Sequence, residues 1–173
     1  MHLRFGDPDK IAVDCTVRPD VVANRELWRG LVWLTVGGQV VGNLEDQFQE
    51  QIGIAIAALA GAARHTGKRR QPLLNGLSAQ AALDLVMWAV YGNDKSHPEL
   101  TDADVKLLAM SEILPSATGP AFDNWEAIII ETGDTETIVW RREGEHAPQS
   151  CTFPLGTFWA AAEQATTWLK SHA

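Results

Sequence analysis

Trp125-Glu126-Ala127-Ile128-Ile129-Ile130-Glu131-Thr132 and Thr135-Glu136-Thr137-Ile138-Val139-Trp140-Arg141-Arg142 are two runs rich in β-branched and aromatic residues. Such side chains favour the pleated surface of a sheet. Only Gly133-Asp134 separates them. A two-residue link of that composition predicts a tight hairpin, because its turn positions need positive φ. Downstream, residues 143–149 form an acidic loop, and Ser150 to Phe153 reads as a short strand. Pro154 then precedes an amphipathic helix. Phe158, Ala161, Ala162, Ala165, Trp168 and Leu169 fall on one stripe, while Glu163, Gln164, Thr166, Thr167 and Lys170 fall on the other.

Upstream of the hairpin the pattern changes. Ile11, Val13, Cys15 and Val17 alternate with Asp14 and Thr16, which predicts a strand over residues 10–17 closed by Pro19. Trp28 to Val36 is a second strand, and Gly37-Gly38 turns it back into Gln39-Val40-Val41. Asn43 is the expected cap of a helix whose apolar positions are Phe48, Ile52, Ala55, Ile56, Leu59 and Ala63. Ser78 caps a second helix, with Ala82, Leu85, Val86 and Ala89 on its apolar face. Thr101 with Asp104 has the spacing of a capping arrangement for a third, over Val105 to Ile113, which Pro115 ends. Strands cluster at both ends of the chain and helices between them. The expected fold is α+β. A largely antiparallel sheet of about five to six strands would carry three to four helices, mainly on one face. A chain of 173 residues is expected to form one domain over 1–173, because at that length it buries about 68–70% of its unfolded surface.

The net charge is −8 and it is unevenly placed. Residues 1–63 carry −3, residues 64–70 carry +4 and residues 71–173 carry −9. An acidic balance argues against a nucleic-acid partner, whose phosphates demand local positive charge. It favours encounter with a cationic protein. Asp94, Glu99, Asp102 and Asp104 form one acidic group, and Asp134, Glu136, Glu143 and Glu145 another. These eight are the candidate partner-binding residues. The basic run Arg64, Lys68, Arg69 and Arg70 has no interleaved aromatics and reads as a solvated helix end and loop.

Catalytic and metal signatures are missing from the sequence. Its five histidines have no HExxH-type spacing, its glycines form neither GxGxxG nor a phosphate-binding loop, and no GxSxG elbow occurs. No cofactor or metal is therefore expected. Cys15 and Cys151 have no CxxC spacing and read as buried thiols. Asp7 interrupts the N-terminus before an apolar leader could form, and no run approaches the roughly 18 apolar residues of a membrane span. A cytoplasmic protein without membrane contact is expected. Of seven tryptophans, Trp33, Trp140 and Trp168 fit buried faces, and others are candidates for an interface.

Phe5-Gly6-Asp7-Pro8, Ile11-Ala12-Val13, Trp28-Arg29-Gly30-Leu31-Val32 and Val36-Gly37-Gly38 together resemble the opening of the immunity protein 42 family of bacterial polymorphic toxin systems. Phe122-Asp123-Asn124-Trp125 and the final helix fit the same layout. The resemblance implies a cytoplasmic protein, without enzymatic activity, that binds a cognate toxin and blocks it. It makes Gly6, Asp7 and Pro8 turn-formers, not ligands, and it transfers no toxin-contacting residue. A basic nuclease is the toxin class that an acidic inhibitor would suit. The competing readings are a small-molecule-binding domain or small enzyme with an unrecognised site, and a subunit whose tryptophans pack against a second copy.

Overall fold

The computed structural model describes residues 1–18, 28–48, 50–92, 96–114 and 119–172. Pro19, Asp94 and Pro115 lie outside the described residues. Strand β1 (His2–Asp7) pairs antiparallel with β2 (Ile11–Thr16), from His2 opposite Thr16 to Asp7 opposite Ile11. The turn between them forms because Asp7 accepts the Asp9 amide on its carboxylate and the Lys10 amide on its carbonyl. The predicted strand Trp28–Val36 is broken at Leu31 into β3 (Arg29–Gly30) and β4 (Val32–Val36). Strand β4 pairs with β2 and turns through Gly37-Gly38 into β5 (Gln39–Val41). Both glycines have positive φ, +56° and +78°, as the tight turn requires. The sheet order is β1-β2-β4-β5.

Asn43 does not cap a helix. Its side chain donates to the Asp123 carbonyl (2.9 Å) and accepts from the Trp125 indole (3.3 Å), tying the end of β5 to the entry of the distant hairpin. The chain instead makes a short 3-10 turn at Asp46–Phe48 and a two-residue strand β6 (Glu50–Gln51) against β3. Helix α1 (Ile52–Ala63) grows directly from β6 without a side-chain cap.

The remaining capping and turn signals hold, but the third helix ends at Ala109, four residues short of the expected Ile113. The Ser78 hydroxyl accepts the Ala81 amide at the start of α2 (Ala79–Tyr91). Thr101 and Asp104 form a reciprocal capping box on α3 (Asp102–Ala109). Strands β7 (Trp125–Thr132) and β8 (Thr135–Arg142) form the expected hairpin, and β9 (Gln149–Pro154) adds to β8. Helix α4 (Thr157–His172) follows and buries Phe158, Ala161, Ala162 and Ala165.

The α+β class stands, but the expected single sheet is divided. The strands form a four-stranded sheet, a three-stranded sheet β7-β8-β9, and the β3-β6 ribbon. Periodicity specifies which side of a strand is buried; it does not specify which edge pairs with which. The helices are likewise divided. Helices α1 and α4 pack together, with α4 lying on β1 and β2, while α2 and α3 pack together, with α2 over β7 and β8. The three-stranded sheet is therefore covered on both faces. Ala127, Ile129, Ile138, Trp140 and Phe153 join the main core with Phe5, Val13, Leu34, Leu59 and Phe158. Ile128 and Val139 point the other way, to Leu83, Val86 and Leu108. Burial on two faces explains why Ile128-Ile129-Ile130 runs apolar without alternation.

Candidate functional site

The predicted acids separate into distinct environments. Glu99 and Asp102 are exposed, and Asp104 is half-buried in its capping box. A backbone amide and then His97, 3.1 Å away, hold the Glu99 carboxyl below its usual range. Hydrogen bonds from Thr101 do the same for Asp104. These three acids share the approach and first turn of α3, beside the edge-on ring pair Trp88–His97. Asp134 is exposed on the hairpin turn, and Glu143 and Glu145 are exposed just past β8. Along an extended strand, Asp134 and Glu143 are roughly 30 Å apart. This second group therefore does not converge on one spot.

Glu136 is not a surface acid. It is wholly buried and accepts the Gly156 and Phe158 amides, at 3.1 and 2.7 Å, at the start of α4. Burial pushes its carboxyl pKa up, against those hydrogen bonds. Its parity shows why: β8 sends Glu136, Ile138 and Trp140 to one face, and that face is core. Asp94 lies outside the described residues.

Arg69 is likewise not solvated. Its guanidinium is fully buried, with Nε donating to the Met110 carbonyl (2.7 Å) and Nη2 to the Ala62 carbonyl. Glu131, also buried, accepts the Gly67 and Arg69 amides and lies 3.8 Å from Nη1. Desolvation pushes the Arg69 pKa down to about 10, against the pull of Glu131 and then Glu136. This node joins the ends of α1 and α3 to β7, and its place in the core makes it scaffold.

Three further polar groups lie at or just beneath the surface. Asp84 on α2 and Glu126 on β7 clamp the Arg141 side chain at 3.1 and 2.6 Å. Tyr91, at the end of α2, donates its hydroxyl to Glu112 at 2.5 Å. On the outer side of the four-stranded sheet, Asp14 is buried beneath His2 and Arg4. Sequence reasoning missed this last group; the signal was the shared parity of Asp14 with its strand neighbours across the sheet. The expectation for the thiols holds for Cys15, which is buried, whereas Cys151 is half-buried. Trp28, Trp33 and Trp140 are buried, and Trp159 stands exposed beside Arg64 and Lys170 in a shallow groove between α1 and α4. Among the described residues, no group of three or more His, Cys, Asp or Glu side chains could hold a metal ion. No described helix is long and apolar enough to cross a membrane.

A model of the family described as immunity protein 42 matches residues 1–168. The chain belongs to the immunity protein 42 family. As an immunity protein it binds and neutralises a toxin. The crystal structure of CdiI from Burkholderia dolosa AUO158 has the same fold, with a TM-score of 0.71 at 12% identity over 96% of this chain and 99% of that one. At that identity the likeness is one of fold. No curated protein matches the chain. The family match extends well past the opening strands that carried the resemblance, through α2, α3, the hairpin and most of α4.

Proposed function

We propose that this immunity protein, acting as one domain over 1–173 in the cytoplasm, neutralises its toxin by covering it, without making or breaking bonds. The proposed partner is a cationic toxin domain, a basic nuclease being the class that fits. Supporting this is the imbalance of the C-terminal half. Residues 71–173 carry −9, and Glu99, Asp102, Asp134, Glu143 and Glu145 stand exposed there, whereas Arg141 is engaged by two carboxylates. Complementary fields of this kind act mainly on the association rate.

A standard interface covers about 800 Å² of each partner, a disc roughly 30 Å across. Only one end of the hairpin can therefore sit near its centre. The α3 approach, with Glu99, Asp102 and Asp104, is the proposed central acid group because it gathers several acids beside the Trp88 and His97 rings. The test is stopped-flow association with the cognate toxin domain, across a salt series. The rate is expected to fall about tenfold or more between low and high salt. Glu99→Lys with Asp102→Lys should slow it more than Glu143→Lys with Glu145→Lys. A rate indifferent to salt refutes the acidic-surface reading.

A further inference from the structure

Among the described residues, the outer face of the four-stranded sheet is basic, against the net charge of the chain. Strand alternation sends Phe5, Val13, Cys15 and Leu34 into the core. It sends His2 and Arg4 of β1, Asp14 of β2, and Trp33 and Thr35 of β4 to the other side. The β2–β4 register continues beyond the break at Leu31, where Arg18 pairs with Arg29. Arg18 lies two residues past Thr16, and Val17 between them is buried, so Arg18 and Arg29 share this outer face. Both are exposed, as are His2 and Arg4. The Met1 ammonium sits at the same end, donating to the Val17 carbonyl at 3.0 Å. Asp14, the acid among these outward strand positions, has no exposed surface. A chain of net −8 thus presents three guanidinium groups on the outer side of one sheet, with the Met1 ammonium in line with the strands at its end.

The buried acid holds one of these cations in place. Asp14 Oδ1 takes Arg4 Nε at 2.7 Å, and Oδ2 takes the Thr35 hydroxyl at 2.6 Å. His2 Nε2 lies 3.0 Å from the same Oδ1, and its ring stacks on Trp33 at 5.2 Å. Anchoring through Nε leaves the two terminal nitrogens of Arg4 without a partner among the described residues. A free arginine loses substantial side-chain entropy when it binds; one already fixed loses less. A fixed guanidinium fork matches the two oxygens of a carboxylate.

We propose that this face takes a carboxylate-bearing segment of the toxin, with Arg4 gripping one side chain and Arg18 and Arg29 flanking it. The proposal rests on the toxin-covering reading and adds to it a second contact region of opposite charge. A nucleic acid fits less well, because a dense polyanion meets the repulsion of the whole acidic chain, whereas a local acidic segment does not. Contacts of both signs would also fix the orientation of the complex, which one charged patch alone leaves loose.

The test is calorimetric titration of the full chain with the cognate toxin domain, and separately with a 15-nucleotide oligouridylate. Arg4→Lys keeps a cation over Asp14 but removes the fork, so its melting temperature should stay near that of wild type. Its affinity for the toxin should fall about tenfold or more. Arg18→Glu with Arg29→Glu, away from the buried acid, should cost a similar factor. Unchanged affinity in both variants overturns the proposal and leaves the toxin-covering reading intact. Absence of a wild-type complex overturns both. Oligouridylate binding that the double variant abolishes, with toxin affinity unchanged, overturns the proposal in favour of a nucleic-acid site.

Discussion

Arg69→Met separates scaffold from solvent-facing charge most sharply. The substitution keeps a long apolar stem and deletes a guanidinium that is wholly buried. It leaves the Met110 carbonyl without its side-chain donor and leaves Glu131 and Glu136 buried without a cation beside them. The 3.8 Å separation of Nη1 from Glu131 is too long for a hydrogen bond, so much of the loss comes from the carbonyl contacts and the uncompensated acids. Removing one partner of a buried ionic group costs about 3–5 kcal/mol. In a chain of this length that lowers the melting temperature by roughly 6–20 °C. Arg70→Met is the control, because Arg70 is exposed and makes one surface bond to the Gly133 carbonyl; it should cost at most about 0.5 kcal/mol. The loss should also depend on pH. Burial already raises the Glu136 pKa from its ordinary 4.5, Glu131 adds to that rise, and Arg69 opposes it. An acid raised in the folded state contributes stability that is complete below its unfolded pKa and is lost as pH climbs through the folded one. Deleting Arg69 raises the folded value further, so the deficit should grow as pH rises above about 4.5. Urea unfolding across that range measures both effects, and adding Glu131→Gln should recover part of the loss. A single-variant cost below about 1 kcal/mol, or one flat with pH, would falsify this account of the node.

Gly30→Ala should be among the most damaging single-methyl additions. A Cβ there would lie 1.7 Å from the Thr16 carbonyl oxygen, and backbone cannot yield as a flexible side chain does. Overpacking of this kind costs about 1–3 kcal/mol or more, so a melting temperature within about 2 °C of wild type would contradict the β2–β3 geometry. The thiols should differ in reactivity. Burial, and then the nearby Asp14 charge, push the Cys15 thiol up to about 12. Ellman titration near pH 8 should therefore count one reactive thiol, Cys151, in the native protein and two in urea. Native reactivity that persists in Cys151→Ser would refute this.

Legibility in the sequence followed the range of the interaction. The Gly37-Gly38 turn, the Ser78 cap and the Thr101–Asp104 box are settled by residues three positions apart or fewer, and each forms as read. Asn43 has equally good capping chemistry, but its partners lie 80 and 82 residues away and outcompete the local role. Arg69 reads as one more solvated base in a basic run; Glu131, 62 residues distant, makes it a core residue. Glu136 carried a readable warning, since it shares parity with Ile138 and Trp140 on a strand whose face is buried. Reading the acids by charge density alone placed it on the surface. The candidate site suffered most, because an acid count assigns equal weight to a helix-capping carboxylate in the core and to a free one on a loop.

That sorting of charge has a consequence for how the protein meets a toxin. Glu131, Glu136, Asp14 and Arg69 are committed to backbone amides, carbonyls, hydroxyls and one another inside the fold. They join β7 to the ends of α1 and α3, β8 to α4, and β1 to β2 and β4. The acids on the α3 approach and the arginines on the outer sheet are thereby carried on elements fastened to the cores on the two faces of the three-stranded sheet. Surfaces held in this way need little ordering on contact, so less binding free energy is lost to conformational entropy. On the proposed reading, recognition would depend on the relative placement of two faces of opposite charge. A toxin that presented its own charges in a different arrangement would meet at least one of those faces unpaired, and this geometric mismatch is a physical basis for discriminating a cognate toxin from another of equal net charge.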